Sequence, residues 1–176
     1  MVVWVVPSMA LKQTSEIIAI GFSVVESAAN TFTQVRVDLQ LNPLDNEVFV
    51  VSAIDLDPSP PFNVAGTSTA TEMSVSTTSL TAMGNINQSQ VLANTKLDIR
   101  QDAASVTGVP FSRTAQDEPQ GAVPYIAIIS TNDFFVQLQG TGNLTARNGF
   151  GRMWGYRAKA DSATYAALVQ SEVLSS

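Results

Sequence analysis

Alternation of apolar and polar residues at period two is the feature that most constrains this chain. Thr31–Leu41 shows it best: Val35, Val37, Leu39 and Leu41 point one way, and Gln34, Arg36, Asp38 and Gln40 the other. A strand turns successive side chains to opposite faces, so this segment reads as a half-buried strand with one wet face. Glu16–Val25 places Ile18, Ile20, Phe22 and Val24 on one face. Glu47–Leu56 is a nearly continuous apolar run, which predicts a central strand covered on both faces. Thr67–Leu80 is rich in Thr, Ser and Val, with Met73 and Val75 inward. In Gln90–Arg100, Val91, Ala93, Leu97 and Ile99 oppose Asn94, Lys96, Asp98 and Arg100. Val123–Ile129 and Phe134–Gly140 flank Ser130–Asp133 and read as a hairpin with a tight connection. Phe150–Lys159 is the last strand, interrupted at Gly151 and Gly155.

Turn chemistry separates these eight segments. Asn42-Pro43-Leu44-Asp45-Asn46 is a turn, and Asp57-Pro58-Ser59-Pro60-Pro61 stops a strand because proline cannot donate to a ladder. Gln101–Gly121 has little apolar periodicity and is expected to be a long loop. Asp161 fits an N-cap for a helix over Ser162–Val173, with Tyr165, Leu168, Val169 and Glu172 at helical spacing. Eight strands and one terminal helix predict an all-β fold. The best match is an eight-stranded, jelly-roll-type antiparallel sandwich. Residues 1–15 form an N-terminal arm or extra strand, 16–160 the sandwich domain, and 161–176 a short C-terminal helix or tail. Met1-Val2-Val3-Trp4-Val5-Val6-Pro7 lacks the basic flank of a signal peptide, so Val2–Val6 is expected to be a strand or docking arm. No stretch approaches the apolar length of a membrane span.

The 176 residues include no cysteine and no histidine. That excludes disulfides, thiolate metal sites and thiol nucleophiles, and it removes the commonest general base at neutral pH. No G-x-S-x-G elbow and no S-x-x-K accompanies the many serines. Gly140-Thr141-Gly142 lacks the residues of a phosphate loop. The chain is expected not to be an enzyme and to need no cofactor. One weak metal candidate remains: Asp55 and Asp57, on one face of a strand end, offer hard oxygens to Ca²⁺. Asp98, Asp102, Asp117 and Glu118 form a second acidic group, and ordinary strand-end and loop charge is the favoured explanation of both. Asn87-Gln88-Ser89 and Asn143-Leu144-Thr145 are sequons that matter only in a secreted chain.

Charge points to contact. The net charge is −6, yet only 14% of residues are charged, against about 25% in ordinary domains. A surface rich in hydroxyls and amides costs little to desolvate, which suits repeated subunit contacts. Arg147, Arg152, Arg157 and Lys159 are four of the nine basic residues, with Trp154 and Tyr156 among them. These residue types are enriched at interface hot spots, so the six are candidates for subunit contact. A solvated edge strand and a nucleic-acid phosphate contact are the two other readings of this stripe.

Gly151-Arg152-Met153-Trp154-Gly155-Tyr156-Arg157-Ala158-Lys159, a final strand running into the short Ser162–Val173 element, resembles the small single jelly-roll capsid proteins of tailless icosahedral viruses and phages. The resemblance implies a structural virion protein, a capsid subunit that self-assembles into an icosahedral shell. It implies partners that are copies of itself and other virion proteins. The alternative is a secreted or cell-surface binding module of carbohydrate-binding, adhesin or surface-layer type. Trp154, Tyr156, Tyr125 and Phe150 would then form its ligand platform.

Overall fold

A computed structural model of the protein describes residues 11–101, 107–115 and 124–174. Val2–Val6, Asp102, Asp117 and Glu118 lie outside them. Among the described residues, ten strands and one helix follow in order: β1 (Leu11–Gln13), β2 (Ile18–Val25), β3 (Thr33–Asp38), β4 (Glu47–Pro58), β5 (Thr69–Ser76), β6 (Val91–Gln101), β7 (Gly108–Ala115), β8 (Ala127–Ile129), β9 (Asp133–Thr141), β10 (Asn148–Ala160) and α1 (Ser162–Leu174). A 3-10 turn at Pro43–Asp45 fills the predicted proline turn, capped by the Asn42 side chain.

The pairing is nested. β5 pairs with β6, β4 with β8, β3 with β9 and β2 with β10, all antiparallel. One long hairpin is thus wrapped on itself, giving sheet orders β2-β10-β4-β8 and β3-β9-β5-β6. That is the jelly roll, and its eight strands coincide with the eight alternating segments of the sequence. Two further strands join it. β1 extends the line of β2 along β10, pairing Leu11 with Ala160. β7 lies at the edge of the second sheet beside β6.

Two expectations are corrected. Val123–Ile129 and Phe134–Gly140 do not form a hairpin: β8 pairs with β4, whereas β9 lies between β3 and β5 in the other sheet. The short link between them crosses from sheet to sheet, as nested pairing demands. The expected loop at Gln101–Gly121 contains β7, an edge strand that accommodates Pro110 because only one side of it needs ladder donors.

β4 explains its own apolar run. Phe49, Val51, Ile54 and Leu56 face the sandwich core, where they meet Met73, Val75, Phe134, Val136, Leu138 and Met153. Val48 and Val50 face outward and are covered, with Ala158 and Ala160, by Tyr165 and Leu168 of α1. The inward positions change parity after Val51 because the register with β10 skips Ser52, between Trp154↔Ala53 and Gly155↔Val51. This is a β-bulge, which re-aims the residues beyond it. Gly155 sits opposite, where a Cβ would lie 2.3 Å from the Val50 carbonyl oxygen, so the close approach requires glycine.

α1 starts where expected. Asp161 accepts from the Thr164 backbone N–H at 2.7 Å, and that bond first of all holds its carboxyl below the usual range. At the far end, buried Glu172 accepts from the Ser130 backbone N–H (3.1 Å) and hydroxyl (2.7 Å), fastening the helix to the β8–β9 link.

Candidate functional site

The six candidate contact residues do not form one stripe. β10 alternates, so Arg157 and Lys159 project to one side and Arg152, Trp154 and Tyr156 to the other. Arg157 donates to the Leu39 (2.9 Å) and Gln40 (3.1 Å) carbonyls and to Glu47 (3.2 Å), closing the end of β3. Lys159 stands 3.6 Å from Asp45. Arg147 precedes the strand, lies over the Phe62 ring at 4.1 Å and donates to the Pro60 carbonyl. These three cations are engaged within the chain. The cations of the stripe are thus split between the two sides of β10 rather than set in one row.

The ligand platform is divided as well. Tyr125 and Tyr156 pack beneath α1 with Val48, Val50, Ala158, Tyr165 and Leu168. Phe150 and Trp154 remain on the uncovered half of the same outer face.

What the structure brings together is a different set. Phe150, Arg152 and Trp154 of β10 face outward beside Asp55 and Asp57 of β4, and these five line one shallow depression with Gly151. Register explains the grouping: Phe150 lies opposite Asp57, Arg152 opposite Asp55 and Trp154 opposite Ala53. On the other side of β10, the same three residues lie opposite Ser23, Gly21 and Ala19 of β2. The face thus carries three parallel rows: small residues, then aromatic–cation–aromatic, then acidic. Phe150 is 54% exposed. The Arg152 guanidinium rests 5.7 Å from the Trp154 ring centroid, within cation–π range.

Asp55 and Asp57 are the two carboxylates of the depression. Among the described residues no group of three or more carboxylates gathers anywhere, and Ca²⁺ takes six to eight oxygens. The neighbour across the ladder is a guanidinium, which opposes a cation. Asp98, of the second acidic group, is bound to Arg100 at 2.7 Å.

One feature that the sequence reading missed is a buried polar row on the outer face of the other sheet. Gln34, Gln137, Ser74 and Asn94 stand in register across β3, β9, β5 and β6. Gln137 is fully buried; it donates to Gln34 (2.9 Å) and Ser76 (2.7 Å) and accepts from Ser74 (2.9 Å). The segment between β5 and β6 covers the row. Leu80 donates to Gln34 (2.8 Å), and Asn94 donates to the Gly84 carbonyl (2.7 Å). Polar alternation there looks like a wet face, yet a strap of the chain keeps it dry.

Asn143, the second sequon, is also structural. It is 5% exposed, and its side chain accepts from the Phe62 N–H and donates to the Ala70 carbonyl. No helix among the described residues is long and apolar enough to cross a membrane.

No protein-family model matches the chain, and neither does any curated protein. A solved structure titled Desmodium yellow mottle tymovirus aligns over 89% of this chain and 95% of that one, at 11% sequence identity and a TM-score of 0.31. At that score the likeness carries no argument. The fold stands on the strand order.

Proposed function

We propose that this protein is a structural virion protein, a capsid subunit that assembles with copies of itself into a closed shell. The observation that carries the reading is the nested jelly-roll order β2-β10-β4-β8 over β3-β9-β5-β6. Jelly rolls serve capsids, lectins and cupins, so chemistry must choose among them. A chain without histidine lacks the usual ligands of a cupin metal site. The lectin-type reading, a secreted or cell-surface binding module, loses two of its four platform aromatics under α1. Self-association remains and fits a surface low in charge, whose desolvation cost is small. The virion is the corresponding location.

Electron microscopy of the purified full chain tests this. Uniform closed particles are expected. A chain that stays monomeric at every concentration reached would overturn the reading.

A further inference from the structure

We infer that the uncovered half of the β2-β10-β4 outer face is a two-fold contact between copies of this chain, in which Arg152 of each copy meets Asp55 and Asp57 of the other. The inference rests on the self-assembly reading and names the surface that it uses.

Three observations carry it. First, the face holds charges of both signs that stay unpaired. No side-chain hydrogen bond or ion pair joins Arg152, Asp55 or Asp57 to any described residue, although Arg152 and Asp55 are register partners on adjacent strands. The other cations of β10, Arg157 and Lys159, each have a carboxylate partner in their own chain. Arg152 instead has its guanidinium 5.7 Å from the Trp154 ring centroid. Second, the patch is apolar where it is not charged: Phe150 is exposed and Trp154 half-buried, beside Ala19, Gly21 and Ser23. Third, the β2 side of the patch is open beside Arg152: Gly21 carries no side chain, and a Cβ there would meet nothing within 4 Å. The face continues past this patch under α1, so half of it is already used for packing.

Geometry selects the two-fold. A contact through one patch on both partners must be self-complementary. An axis parallel to the strands, lying between β4 and β10, places one copy's β10 over the other's β4 and preserves height along the strand. Register partners in one chain then face each other between chains. Arg152 meets the other copy's Asp55, with Asp57 two residues further along, and the reciprocal contact forms at once. With the axis there, β10 and β4 overlap over about six to eight residues, roughly 20–27 by 5 Å, well below the ~800 Å² per partner of a stable dimer. The contact is thus one of several in a multivalent shell, where weak sites act together.

Charge exchange tests it. Arg152→Glu alone, and Asp55→Lys with Asp57→Lys, each place like charges across the axis. Each is expected to raise the concentration at which particles form by about tenfold or more. Both substitutions are on exposed side chains, so unchanged circular dichroism checks that the variants fold. Mixing the two variants restores both reciprocal contacts, as does combining all three changes in one chain, and assembly is expected to recover. Wild-type-like assembly of each single-sign variant would overturn the inference while leaving the capsid reading intact. So would a failure of the mixture and the combined chain to recover. Assembly untouched by Trp154→Ala, with loss of binding on a glycan array, would assign the face to a sugar and overturn the contact. A wild-type chain that never assembles would instead remove the reading beneath it.

Discussion

Replacing Glu26 with glutamine should be far more damaging than an isosteric, one-atom change suggests. Glu26 follows β2, is 4% exposed and accepts three backbone N–H groups. Gly140 donates to Oε1 at 2.6 Å, Thr31 to Oε1 at 3.1 Å and Arg147 to Oε2 at 2.7 Å. Its own N–H bonds to the Arg147 carbonyl. One carboxylate therefore ties the β2–β3 turn to both sides of the β9–β10 loop. In Glu26→Gln the amide oxygen can keep Gly140 and Thr31, but the NH₂ must then face the Arg147 N–H, donor against donor. One charge-assisted bond is lost and one buried donor is orphaned, about 2–3 kcal/mol. In a chain of this size each kcal/mol moves the melting point by about 2–4 °C, so the variant should melt about 4–12 °C lower. Urea titration would show a lower midpoint with an unchanged slope. Exposed Glu16→Gln is the control and should change stability by less than about 0.5 kcal/mol. A Glu26→Gln midpoint indistinguishable from that control would refute the reasoning, because it would mean the three contacts contribute nothing that water does not.

Other substitutions probe the remaining supports. Gln137→Leu keeps the volume but leaves Ser74 and Ser76 without their partner in the buried row. About 2–4 kcal/mol should be lost, with faster hydrogen exchange over residues 77–90; unchanged exchange there would show that the strap is held some other way. Glu172→Ala removes the acceptor for the Ser130 N–H and hydroxyl, so α1 should exchange faster while the strands stay protected. Asp161 has a folded pKa below its ordinary value, because the Thr164 N–H bonds its charged form. Its contribution to α1 is therefore complete above the ordinary carboxyl range and is lost as pH falls through the lowered value. Asp161→Asn, still a good cap, should abolish that acid loss of helical circular dichroism; an identical acid transition in the variant would show that another group drives it.

Alternation made the eight jelly-roll strands legible, because each buries one face and period two survives in the sequence. Partner choice was less visible. Val123–Ile129 and Phe134–Gly140 look like neighbours in a hairpin, but periodicity says which face is buried and nothing about which strand lies alongside. β7 was hidden because Pro110 and Gly108 lower strand propensity, a penalty that an edge strand tolerates. The row of Gln34, Gln137, Ser74 and Asn94 was misread for a related reason: polar residues opposite apolar ones imply water, unless a distant segment covers them. The site was legible only in pieces. Asp55 and Asp57 stood out as a pair, and Arg152 and Trp154 as part of a basic cluster. Alternation along β10 separates Arg152 from Arg157 and Lys159. Pairing of β4 with β10, which no local pattern encodes, sets Arg152 beside the acids.

Whether this chain builds a shell is tested most directly by the mass and shape of the purified protein in solution, measured by light scattering alongside negative-stain imaging. Uniform closed particles, many times heavier than the 18.7 kDa chain, are expected. A single species of 18.7 kDa at the highest concentration reached would contradict the assembly on which the proposed function depends.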